Sequence, residues 1–78
     1  MPLQAKKNED VMLTTTFLVV MPKSLASEVN KVMKKQPGVK KVETNLKDQT
    51  VIVTFSAKEN TVSNLLKQFK QMGVTAAA

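Results

Sequence analysis

The apolar residues of this chain switch between a spacing of two and a spacing of three to four, and the order of the switches decides the fold class. Met12 to Met21 reads MLTTTFLVVM, a β-branched and apolar run of the kind that forms a strand. Side chains on an extended backbone alternate between faces. Leu13, Thr15, Phe17, Val19 and Met21 make the bulkier face and are assigned to the core, leaving Met12, Thr14, Thr16, Leu18 and Val20 outside. Pro22 then stops the ladder. From Leu25 the apolar positions are Leu25, Val29, Val32 and Met33, one face of a helix, which Pro37-Gly38 ends. Val39 to Leu46 alternates again through Val42, Thr44 and Leu46. Lys47-Asp48-Gln49 is a polar turn, and Thr50 to Phe55 (TVIVTF) puts Val51, Val53 and Phe55 on one face. These two neighbouring strands are expected to pair as an antiparallel hairpin. Thr61 is placed to cap a second helix, with Asn64 as its capping-box partner. Val62, Leu65, Leu66, Phe69 and Met72 form that helix's apolar face, Gly73 ends it, and Val74 to Ala77 is expected as a short edge strand.

The order is βαββαβ, so the expected fold is α+β and ferredoxin-like: an antiparallel four-stranded sheet with two helices on one face. Residues 1–10, polar and of mixed charge, read as a disordered lead-in, and residues 11–78 as a single domain. A chain of 78 residues buries only about 60% of its unfolded surface, so its core must be small.

Several chemistries are excluded by residue type. The sequence has neither Cys nor His, which rules out disulfides, Cys/His zinc sites, thiolate copper sites, thiol catalysis and a Ser-His-Asp arrangement. No cofactor is expected. The carboxylates Glu9, Asp10, Glu28, Glu43, Asp48 and Glu59 are scattered and read as solvated surface charge rather than as an acid–base pair, so the chain is not expected to be an enzyme. The net charge of +6 favours acidic partners, yet every cation is Lys; Arg, the residue suited to bidentate phosphate and base recognition, is absent. RNA-recognition motifs share this element order but stack bases on aromatics exposed on the sheet. The outward positions Thr14, Thr16, Leu18, Val20, Ile52 and Thr54 include none, so no specific nucleic-acid binding is expected.

Several stretches, in this order and spacing, resemble a heavy-metal-associated domain, the fold of small soluble copper chaperones and of metal-ATPase N-terminal domains. They are Phe17-Leu18-Val19-Val20-Met21, Ala26-Ser27-Glu28-Val29, Lys34-Lys35-Gln36-Pro37-Gly38-Val39, Val42-Glu43-Thr44-Asn45-Leu46 and Val51-Ile52-Val53-Thr54-Phe55, with Gly73 at the family's glycine after the second helix. Asn45 to Val53 is also similar to the first domain of the copper chaperone for superoxide dismutase. The resemblance implies a metal loop, Met-x-Cys-x-x-Cys, between the first strand and the first helix, where two thiolates hold the soft ion Cu(I). The chain departs there. Its loop is Met21-Pro22-Lys23-Ser24-Leu25, one residue shorter than the family's, and Val74 stands where soluble eukaryotic chaperones tend to carry a Lys after the second helix. Thioethers also bind Cu(I), but Met21, Met33 and Met72 fall on expected core faces and read as gap-filling methionines.

The resemblance and the departure together imply a degenerate heavy-metal-associated domain with no family-type metal site, acting in protein–protein recognition in a metal-handling context. The alternatives are copper trafficking through non-Cys or partner-supplied ligands, and a basic nucleic-acid-associating ferredoxin-like domain. Two candidate surfaces follow. One is basic: Lys23 in the loop, Lys31, Lys34 and Lys35 on the first helix, and Lys40 and Lys41 just beyond it, suited to an acidic protein partner. The other is the open sheet face, where Leu18, Val20 and Ile52 are expected side by side as a partner or self-association surface. No apolar run approaches the ~20 residues of a membrane span. Lys6 and Lys7 ahead of Val11 to Met21 have the order of a secretory leader, but Glu9 and Asp10 intervene and Thr14, Thr15 and Thr16 break the apolar stretch, so the expected location is cytoplasmic.

Overall fold

The computed structural model describes residues 11–78; the expected lead-in over residues 1–10 lies outside them. The elements are β1 (Met12–Val20), a 3₁₀ turn (Lys23–Leu25), α1 (Ala26–Lys34), β2 (Val39–Asn45), β3 (Thr50–Ser56), α2 (Val62–Gln71) and β4 (Thr75–Ala77). The sheet is antiparallel with strand order β2-β3-β1-β4, the ferredoxin-like arrangement expected from the period switches.

Phe17 and Val19 of β1, Val42 of β2, and Val51, Val53 and Phe55 of β3 point to the face that receives Val29 and Met33 of α1 and Leu65 and Phe69 of α2. Phe17 and Phe69 meet with ring centroids 5.1 Å apart at 58°, the tilted geometry that suits two quadrupoles. Met21, Leu25, Val62, Leu66 and Met72 pack partly buried around this centre. Leu13 does not join it: it is 41% exposed, although its register partner Phe55 on the same face is fully buried. Leu46 is also exposed, because β2 ends at Asn45 and Leu46 belongs to the turn.

The hydrogen bonding at the N-terminus of α2 differs from the expected capping box. Thr61 Oγ1 accepts from the Asn64 backbone N–H at 3.0 Å. The Asn64 side chain does not return to Thr61; its Nδ2 donates to Asn60 Oδ1 at 2.7 Å. Asn60, buried, is the hub: its Oδ1 also accepts from the Thr61 N–H at 2.9 Å, and its Nδ2 donates to the Pro37 carbonyl at 2.9 Å. It ties the end of the α1 segment to the start of α2, and the sequence pattern alone does not single it out.

Gly38 and Gly73 both adopt positive φ, +75° and +83°, for different reasons. A Cβ at Gly38 would stand 2.8 Å from Glu59 Cβ and 3.2 Å from Ser56 Cβ, whereas one at Gly73 meets nothing within 4 Å. Gly73→Ala therefore carries only the left-handed backbone penalty, about 1–2 kcal/mol. Gly38→Ala adds overpacking and is expected to lose roughly 2–4 kcal/mol. Urea unfolding midpoints of the two variants test this, and equal losses would contradict it.

Candidate functional site

The segment after β1 is shaped by packing at both of its ends. Met21 and Leu25 are half-buried against the core, while Pro22, Lys23 and Ser24 between them are exposed. Pro22 is extended (φ −69°, ψ 151°), and its carbonyl accepts from the Leu25 N–H at 2.9 Å, closing the 3₁₀ turn from which α1 starts.

β3 runs antiparallel to β1, so it begins where β1 ends, and the β2–β3 turn therefore sits beside this loop. The turn holds itself together: Asn45 Oδ1 accepts from the Asp48 N–H at 3.2 Å, and Asn45 Nδ2 donates to Asp48 Oδ2 at 3.1 Å. Gln49 takes a left-handed conformation at φ 56°, and its carbonyl accepts from the Val19 N–H at 2.9 Å, which fastens the turn to the end of β1. Between loop and turn lies an open cavity of about 340 Å³ lined by Val19, Met21, Lys23, Leu46, Lys47 and Gln49. Its apolar side chains are Val19, Met21 and Leu46, its cations Lys23 and Lys47, and no carboxylate lines it. Leu46, Lys47 and Gln49 are additions to the sequence reading. The signal for them was the antiparallel pairing of the first and third strands, which brings the hairpin turn to the loop.

The six lysines singled out in the sequence do not form one face. Lys23 is at the loop, while Lys34 and Lys35 are at the opposite end of α1 with Lys31 one turn before, an offset of about 16 Å along the chain's helical rise. Lys41 pairs in register with Thr54, on the sheet face opposite α1, and Lys40 is the extra residue of a bulge between Val39 and Lys41. All six are exposed. On the open sheet face, Leu18 and Val20 are 61% and 65% exposed, but Ile52 is half-buried and stands opposite Thr16. Thr50 lies opposite Leu18, so threonines separate the apolar residues that were expected side by side. Thr14 and Thr54 share a hydrogen bond between hydroxyls at 3.1 Å on this face.

The donor set for a soft metal is missing from the loop. The sequence has no thiolate or imidazole to offer, and Met21, the one thioether there, is packed on the core. Among the described residues no group of three or more acidic side chains gathers in a way that would hold a hard cation. No described helix is long and apolar enough to cross a membrane.

A family model described as "Heavy-metal-associated domain" matches residues 23–75, more than half of the chain. The chain belongs to the heavy-metal-associated domain family. The match starts at Lys23, so Met21 and Pro22 fall outside it. Among solved structures, oxidized MerP from Ralstonia metallidurans CH34 is similar at 25% identity and a TM-score of 0.80, over 86% of this chain and 96% of that one. A putative copper-ion-binding protein from Bacillus anthracis str. Ames is similar in fold, with 20% identity and a TM-score of 0.82, over 88% of this chain and all of that one (100%). The apo heavy-metal-associated domain of a copper chaperone for superoxide dismutase shares the fold at 22% identity and a TM-score of 0.70, over 90% of this chain and 69% of that one. No curated protein matches the sequence. This is thus a heavy-metal-associated domain without a cysteine.

Gln49 gives a direct check on how the site is held. Gln49→Gly removes a side chain from a left-handed position and is expected to leave stability unchanged or raise it by up to about 1 kcal/mol, whereas Gln49→Val should lower it, because a β-branched side chain is disfavoured at this φ more strongly than Gln. Chemical unfolding of both variants tests this. Equal destabilisation by the two would mean that the Gln side chain, not the backbone, holds the turn.

Proposed function

We propose that this domain works by recognising a protein partner, in a metal-handling context, through the end of the fold where its relatives' metal loop lies. The observation that carries this reading is the cavity between the loop and the β2–β3 turn. The loop has the family's position but not its thiolates, and in their place stands an apolar floor of Val19, Met21 and Leu46 flanked by Lys23 and Lys47. A partner suited to it presents an apolar side chain among carboxylates. The two lysines favour encounter with such a surface, and desolvation of the floor sets how long it stays. The reading involves no catalytic step and no ion held by this chain's own ligands. Lys31, Lys34, Lys35, Lys40 and Lys41 contribute to the general positive field rather than to the contact.

Two measurements test it. In a competition titration with a Cu(I) chelator, the domain is expected to take no copper; retention with amide shifts at Met21 would overturn the reading in favour of a metal carrier with unfamiliar ligands. In an NMR titration with a glutamate-rich peptide carrying a single leucine, shifts are expected at Val19, Met21, Leu46 and Gln49. They should weaken with salt and in Lys23→Glu and Lys47→Glu. Shifts confined to Lys34, Lys35 and Lys41 would place the contact elsewhere.

A further inference from the structure

β1 is paired over most of its length on one side only. β3 meets it from Met12 to Leu18, but on the other side β4 meets it only from Leu18 to Val20. In an antiparallel ladder the backbone groups of successive residues point alternately to the two sides. The Val19 N–H goes to Gln49 and the Val11 carbonyl to Ala57, both towards β3, so the odd-numbered residues face β3 and the even-numbered ones face away. β4 covers Leu18 and Val20. Among the described residues, no segment pairs with the N–H and C=O groups of Met12, Thr14 and Thr16.

The side chains around this open edge are unusual as well. Large exposed hydrophobics among the described residues are Val11, Met12, Leu13, Leu18, Val20 and Leu46, and all but Leu46 lie on β1 or next to it. No residue from Val11 to Met21 is charged. The opposite edge of the sheet, β2, carries the Lys40 bulge together with Lys41 and Glu43, the devices that keep an edge from pairing. The β1 edge has none of them.

We infer that this edge pairs with the same edge of a second copy, β1 to β1 and antiparallel, about a two-fold axis at Thr14. The register follows from the alternation. Hydrogen-bonded partners must both be outward-facing residues, so Met12 lies opposite Thr16 of the other copy, Thr14 opposite its own equivalent, and Thr16 opposite Met12. This register satisfies all three open residues at once; a centre at Leu13 or Thr15 leaves one of them unpaired. It also fits the space. The paired segment of the second copy ends with Met12 opposite Thr16, two positions short of Leu18, where Ala77 of β4 pairs, so the hydrogen-bonded part of the incoming strand stops before β4 begins. Exposed Leu13 gains Thr15 of the other copy as its cross-strand neighbour, and Met12 gains Thr16. The seam is free of charge, so two molecules of net charge +6 meet where neither carries any of it. An acidic partner, by contrast, finds its lysines at the loop end. The pairing does not depend on the loop-end reading and fails or stands separately.

Sedimentation of the full chain from the low micromolar to the millimolar range is expected to show a monomer–dimer equilibrium. Thr14→Lys places two ammonium groups at the axis and should weaken association at least about tenfold, while Thr14→Ser leaves it unchanged. An amide spectrum of Thr14→Lys identical to wild type outside β1 shows that the variant is folded. Because the sequence has no cysteine, Thr14→Cys introduces the only thiol. Hydrogen-bonded partners sit about 5.5 Å apart at Cα, within disulfide range, so air oxidation should cross-link this variant. Thr54→Cys, one strand further in on the same face, should stay monomeric under the same conditions. A monomer at every concentration, unchanged association in Thr14→Lys, or equal cross-linking of Thr54→Cys would each overturn the proposal.

Discussion

Phe17 is the point at which the three parts of this fold meet. It belongs to an inner strand of the sheet, stands opposite Val51 of β3, and lays its ring against Phe69 of α2. Burying one phenylalanine contributes about 1.5–3 kcal/mol, and a tilted aromatic pair adds about 0.5–1.5 kcal/mol. A domain of this size has a total stability of only about 4–12 kcal/mol, so this one contact is a large fraction of it. It also fixes the register. Sliding β1 by one residue would turn Phe17 and Val19 to solvent and carry Thr16 and Leu18 inside, reversing the whole strand.

That register has consequences at both ends of β1. At the upper end Val19 is held in the core, its N–H is taken by Gln49, and the β2–β3 turn is drawn up beside the loop. The cavity there is a product of strand pairing. Met21 and Leu25 anchor the two ends of the loop by packing, so its path does not require a bound ion to hold it. This explains how a heavy-metal-associated domain keeps its fold without the cysteines: the stabilising contacts lie in the core between sheet and helices. At the lower end Leu13 and Val11 are exposed beside backbone groups that lie outside the β4 ladder.

The polar contacts follow a similar logic. Thr44 donates to Asn30 at 2.8 Å, joining β2 to α1, and Asn60 joins the Pro37 turn to α2. Each of these polar side chains finds a partner on another element, and no buried side-chain polar atom among the described residues is left without one. Isolated in sequence from the residues they touch, these groups read as ordinary turn and surface residues.

The element order, the fold class and most of the core were legible in the apolar spacing. Apolar spacing reports which side of an element is buried, and Phe17, Val29, Met33, Val51, Val53, Phe55, Leu65 and Phe69 all follow it. The absence of thiolates was legible too, since that is a matter of residue type. The juxtapositions came from the three-dimensional fold. Leu46, Lys47 and Gln49 join Lys23 because two antiparallel strands bring their ends together. The lysines of α1 and β2 separate because a helix has length and a sheet has two faces. Threonines come between Leu18 and Ile52 because the register pairs each of them with Thr. Among the described residues, Met12 to Thr16 lie outside the β4 ladder because its register meets only Leu18 to Val20. Periodicity along one segment carries no information about which residues of a neighbouring segment are paired.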